Sequence, residues 1–99
     1  MKPITLGPKI DGARSAASDI GTVIMDRANR DDMGFWARLR IADAECVLLY
    51  ASSDDLLTMA WHGWIEIDGE QRRVAIDPDS WVLTFHECKK PFHPPQVVG

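Results

Sequence analysis

His86, Cys88 and His93 fall within eight residues of one another, and Cys46 is the only other cysteine. Imidazole and thiolate are zinc ligands, and in an extended segment His86 and Cys88 would share one side. Well-marked structural zinc sites, however, carry two short ligand pairs, and here there is a single H-x-C followed by a histidine among prolines. The three residues therefore define a metal-binding alternative, not the main reading. Cysteine nucleophile chemistry would need Cys88 or Cys46 beside an imidazole such as His86 or His62. Neither cysteine stands in a motif of a cysteine enzyme, and both read as small apolar residues.

Paired carboxylates are frequent: Asp31-Asp32, Asp54-Asp55, and Asp77 with Asp79. Two-carboxylate hydrolysis requires a cleft that sets their separation and moves one pKa, whereas each of these pairs sits where a turn already favours aspartate. The seven glycines form neither G-x-G-x-x-G nor a P-loop. No catalytic residue and no cofactor is expected, and the chain reads as a non-enzyme.

The residues best suited to contact a partner are aromatic and charged. In "GFWARLRI", a strand buried on one side would direct Phe35, Ala37, Leu39 and Ile41 inward and Trp36, Arg38 and Arg40 outward. Trp64 and Arg73 extend that outer surface. Such a face is able to stack bases and meet phosphate, which defines a single-stranded nucleic-acid reading on a small barrel. Net charge opposes it. The chain carries −4 at neutral pH, and residues 41–80 hold two Lys/Arg against nine Asp/Glu. A field of that sign repels nucleic acid and attracts basic surfaces.

Protein binding uses the same residues at lower cost, since Trp and Arg are enriched in interface hot spots and carboxylates steer a basic partner. The expectation is a protein-binding module contacting a basic protein surface through Trp36, Arg38, Arg40, Trp64, Asp54, Asp55, Glu66 and Asp68. One form of this is a small acidic inhibitor or accessory factor that occludes the basic surface of a nucleic-acid-handling protein. Small acidic proteins of phages and mobile elements often act in that way; the likeness is one of type.

These side chains must be positioned by a single domain, because 99 residues are too few for two cores and 45% apolar content suffices for one. From Gly34 to Glu87, apolar segments alternate with breaks rich in Asp, Ser and Gly, as in an antiparallel meander. Around Asp68-Gly69, the pattern places Ile65, Ile67, Val74 and Ile76 on one face and Trp64, Glu66, Arg73 and Asp77 on the other. "ECVLLYA" is apolar on both faces and reads as a central strand covered on both sides. Residues 53–61 read as strand, with a short helix capped by Ser53 as the competitor.

Residues 11–33 form a helix and strand region. Ile10, Ala13, Ala17, Ile20 and Ile24 lie near helical spacing, so a helix over 12–20 followed by a strand over 21–27 is predicted, the helix packing across the sheet. Residues 1–10 are an N-terminal segment, and 88–99 a proline-rich arm that is ordered only if Phe92 docks. The fold class expected is α+β, a meander of about five or six strands with one N-terminal helix; an all-β small barrel is the alternative. No export signal and no membrane-spanning apolar run is encoded, so a cytoplasmic protein with reduced thiols and no membrane partner is expected. An exposed edge in so small a sheet offers a route to a homodimer.

Overall fold

The computed structural model describes residues 2–27, 35–53 and 58–86. Among these residues there are eight strands: β1 (Ile4–Thr5), β2 (Ala13–Ser18), β3 (Gly21–Arg27), β4 (Trp36–Ile41), β5 (Ala44–Ser53), β6 (Thr58–Ile67), β7 (Glu70–Ile76) and β8 (Val82–His86). They form one antiparallel sheet in the order β1-β8-β7-β6-β5-β4-β3-β2. The two ends of that order meet where the Gly7 N–H donates to the Ser15 carbonyl at 2.8 Å, so the sheet curls into a nearly closed barrel. The architecture is all-β, which overturns the α+β expectation and agrees with the small-barrel alternative; the strands number eight, not five or six.

The helix predicted over 12–20 is absent, and the reason lies at both ends of the segment. Asp11 and Gly12 take positive φ of 52° and 82°, and Ile10 and Ala13 exchange backbone hydrogen bonds across them. This is the geometry of a tight two-residue turn. At the other end Ser18 Oγ donates to the Gly21 carbonyl at 2.7 Å and accepts from the Ile20 N–H, which reverses the chain again. Between the turns, Ala13 to Ser18 pair residue for residue with Asp26 to Gly21 of β3. Pairing with the Val-Ile-Met run outweighs the modest helical preference of Ala and Arg. The strand expected over 21–27 is present as β3.

Three hairpin turns of two residues each lie at one end of the barrel: Asp19-Ile20, Ala42-Asp43 and Asp68-Gly69. At the opposite end, the β7–β8 connection is held by Asp77, whose Oδ1 accepts from the Asp79 and Ser80 N–H groups while its backbone pairs with Trp81 and Val82. Asp77 thus serves turn geometry, as an Asx motif does.

The interior is filled by side chains from every strand after β2: Val23 and Met25 of β3, Ala37, Leu39 and Ile41 of β4, Leu48 of β5, Trp61 and Ile65 of β6, Val74 and Ile76 of β7, and Leu83 of β8. Leu6, just beyond β1, joins them. Trp61 is the largest fully buried side chain, and its ring meets that of Tyr50 at 5.2 Å between centroids, tilted by 52°.

On the Asp68-Gly69 hairpin, Ile65, Val74 and Ile76 are buried and Trp64 and Glu66 exposed, as the alternation predicts. Two inward assignments are corrected. Phe35 is 78% exposed, because it precedes the first paired residue of β4. β5 is covered on one side only: Leu48 is buried, whereas Val47 and Leu49 on its other face are 56% and 57% exposed. With no helix across the sheet, nothing among the described residues covers them.

β6 lies close against β5 at Gly63. A Cβ there would stand 2.6 Å from the Val47 carbonyl oxygen and 2.8 Å from Leu48 Cδ2. The β5–β6 register runs from Ser53–Thr58 to Leu49–His62 and stops at this point.

Candidate functional site

β4, β5 and β6 present one continuous outer face. Because paired residues of adjacent strands share a side of the sheet, Trp36, Leu49 and His62 form one row across β4, β5 and β6, continued by Ala75 of β7. Arg38 pairs with Val47 in the next row, and Arg40 with Glu45 in the one after. On β6, Trp64 pairs with Arg73 of β7, and Glu66 with Gln71. The middle of the face is therefore apolar: Trp36 (43% exposed), Val47, Leu49 and Trp64 (36% exposed). Trp36 and Trp64 also make contacts of their own within the molecule.

The arginines border this apolar area and are held. Asp26 of β3 lies opposite Arg38 in the register, and its Oδ2 accepts from both Arg38 (2.8 Å) and Arg40 (3.0 Å). The hydrogen bond that Arg38 donates to Asp26 raises the pKa of Arg38 above its ordinary value, with desolvation opposing and the charges of Asp26 and Glu45 adding. One carboxylate thus serves two guanidinium groups, which fixes their direction and leaves one net positive charge. Sequence reasoning did not select Asp26; its spacing of 12 and 14 residues from its partners gives no local signal.

The other border is acidic. Asp19, Asp43, Glu45, Glu66 and Asp68 line a hollow of about 590 Å³ at the end of the barrel that carries the three short turns, together with Ile20, Ile41, Ala42, Ala44 and Ile67. Among the described residues no lysine or arginine lines it. Glu45 and Glu66 belong both to this hollow and to the outer faces of β5 and β6, so the apolar area runs directly into a negative one. Part of the acidity of residues 41–80 is gathered here, because the β4–β5 and β6–β7 turns close the same end of the barrel as Asp19; Asp77 and Asp79 lie at the opposite end.

The structure therefore brings together six of the eight expected contact residues, Trp36, Arg38, Arg40, Trp64, Glu66 and Asp68, on one side and one end of the barrel. Asp54 and Asp55 lie outside the described residues. So do Cys88 and His93, and with them the metal-binding alternative. Among the described residues no group of three or more His, Cys, Asp or Glu is arranged to hold a metal ion. Val47 and Leu49, at the centre of the face, were assigned to a doubly covered strand. The signal that could have found them is the lack of any confirmed covering element.

Two further residues bear on chemistry. Burial, followed by the charge of Glu45, pushes the Cys46 thiol up to about 12. This is the reverse of what a nucleophilic thiolate needs. Cys46 faces inward and His62 outward, so they lie on opposite sides of the sheet. His62 is half-buried between Leu49 and Ala75, and neither of its ring nitrogens reaches solvent or has a hydrogen-bond partner among the described residues.

Comparison of the chain with protein-family models, with curated proteins and with solved structures gives no match. Among the described residues no helix is long and apolar enough to cross a membrane.

Proposed function

We propose that the protein is a non-enzymatic protein-binding module, whose contact face is the outer surface of β4, β5 and β6. The observation that carries this reading is the order of groups across the face: two tryptophans around an aliphatic centre, oriented arginines on one border and carboxylates on the other. An apolar middle with a charged rim is the anatomy of a protein interface, and exposed aliphatic and indole area of this kind is a natural hot spot. The partner has an apolar ridge flanked by basic groups, because the carboxylates of the barrel end lie next to the apolar area and attract that sign. In its narrower form, the module is an inhibitor or accessory factor that covers the basic surface of a nucleic-acid-handling protein.

Val47 and Leu49 favour a protein over a nucleic acid. Stacking on single strands uses aromatic planes and free cations. Here the space between the two indoles is aliphatic, and both arginines are shared by Asp26.

The test is affinity capture from a nuclease-treated lysate of the native host, repeated with Trp36→Ala, Leu49→Asp and Glu66→Lys. A defined protein should be retained by the wild-type chain. Trp36→Ala should weaken its affinity by about 2 kcal/mol, as truncation of a hot-spot indole does, and Glu66→Lys should slow association at low salt. The reading fails if nuclease abolishes the capture, or if none of the three substitutions changes it while circular dichroism shows each variant folded.

A further inference from the structure

The barrel is least complete between β1 and β2. The two strands are joined by the Gly7 N–H to Ser15 carbonyl bond and by the Arg14 guanidinium, which donates to the Gly7 carbonyl at 3.0 Å. Toward the end with the three short turns they part, and a hollow of about 480 Å³ opens at the seam. Its apolar walls are Ile4, Ala17, Ile20 and Phe85, with the exposed Lys2 and Asp19 beside them. Ile4, Ile20 and Phe85 also pack against the buried core. An apolar group entering here would extend the core itself, at a place where the two edge strands leave the sheet unpaired.

The chain leaves β8 at this wall. Phe85 lines the hollow and His86 ends the strand; the following sequence is Glu87-Cys88-Lys89-Lys90-Pro91-Phe92-His93-Pro94-Pro95. Phe92 is the first large apolar side chain after β8, and six residues of extended chain span about 20 Å. Pro91, Pro94 and Pro95 narrow the conformations of the segment around it and ask for no ladder hydrogen bond, which suits a run along a sheet edge. The charges also fit. Asp19 and Ile20 are shared between this hollow and the acidic one, so a segment carrying Lys89 and Lys90 that seated Phe92 here would meet a carboxylate-rich border, with Lys2 as the single like charge among the described lining residues. A tethered segment acts at an effective concentration of about millimolar, so shallow burial of one phenyl ring is enough to populate the docked form.

We propose that the seam hollow between β1 and β2 seats Phe92 of the chain's own C-terminal arm, which completes the barrel. The occupant is this segment in the same molecule, not a second copy and not a free ligand. The inference does not rest on the partner-binding face.

Nuclear magnetic resonance on the full chain tests it. Contacts between the Phe92 ring protons and the methyl groups of Ile4 and Ile20 are expected, and they should vanish in a mixture of differently labelled chains filtered for intermolecular contacts. In full-length Phe92→Ser, the Leu6 and Gly7 amides, which bond to Trp81 and Ser15, should exchange about tenfold faster, as expected for loss of a local closing contact. Amides of the β5–β6 pair should keep their rates, and Phe92→Leu should restore much of the protection. The inference is overturned if Phe92 shows no contact with Ile4 or Ile20. Contacts that appear only between chains would assign the hollow to a second copy, and unchanged exchange in Phe92→Ser would show that the seam closes without the arm.

Discussion

Cys46 shows how much a side chain's chemistry depends on which way its strand faces. It points inward from β5, behind the backbone contact at Gly63, and there desolvation holds its proton. At pH 8, alkylation measured on the Cys46 peptide should be at least about tenfold slower in the folded protein than in denaturant, because the thiolate is the reactive form. The linkage has a definite sign. Between the ordinary thiol value of 9.0 and the folded value of about 12, the unfolded chain has lost the proton and the folded chain keeps it. Cys46 therefore lowers stability as pH rises through that window, and Cys46→Ala should flatten the alkaline fall of the urea midpoint. The inward position of Ala37, Leu39 and Ile41, and the outward one of Trp36, Arg38 and Arg40, could be read from alternation. Phe35 could not, since alternation does not say where pairing begins. Asp26 was equally hidden, because the pairing of β3 with β4 puts it beside Arg38 and Arg40 across a stretch of chain that carries no periodicity of its own.

At the scale of elements, the strands from Trp36 onward were legible and the N-terminal third only partly so. Ala13–Ser18 has the composition of a helix, yet Asp11-Gly12 and the Ser18–Gly21 reversal cut it to six residues, too short for a helix to offset its nucleation cost. As a hairpin with β3 it gains a full ladder. The expected covering of β5 failed with the helix, so Val47 and Leu49, assigned to packing, lie exposed on the outer face; under the proposed function that face meets the partner. Gly63 carries a testable element-level role. Any side chain at this position meets backbone at 2.6 Å, and backbone cannot turn aside as a flexible side chain can. Gly63→Ala should therefore lower the unfolding free energy by about 1–3 kcal/mol in urea titration, with faster amide exchange concentrated in β5 and β6.

For the whole molecule, the decisive contact is between segments far apart in sequence. Six of the seven neighbour pairs in the sheet join consecutive strands, while β1 on β8 joins Ile4 to Leu83 and Thr5 to Val82. Leu6, which follows β1, is buried with the core and donates its N–H to the Trp81 carbonyl at 2.9 Å. Above it Arg14 lies 3.9 Å over the Trp81 ring, so the N-terminal segment and the β7–β8 connection are locked together. Leu6→Ala should cost about 2–5 kcal/mol, as loss of a buried leucine does, and calorimetry should show a single lower transition rather than separate melting of the N-terminal hairpin. Nothing in "MKPITLGPKI" announces this role: two paired residues and one leucine leave too short a pattern to register as a strand. Closure also gathers charge, for it sets the Asp19 turn at the same end as the turns carrying Asp43 and Asp68, three carboxylates spread over fifty residues of sequence.

The amino-acid order by itself determined which side chains share a face along β4, β5 and the β6–β7 hairpin, because a period of two is a local property that needs only neighbouring residues; that the outer face of β5 meets water it did not determine. It also marked a reversal within Asp68-Gly69-Glu70-Gln71, and pairing of Ile67 with Glu70 settled the two-residue form, in which Asp68 and Gly69 take the left-handed backbone that reversal requires. Tertiary structure alone decided that residues 13–18 join the sheet as a strand rather than a helix, that the sheet curls until its edges meet, and that indoles, aliphatic residues and carboxylates share one surface. Those outcomes depend on pairing and burial between segments distant in sequence, whose free energies exceed local preference and leave no mark in the spacing of residues along the chain.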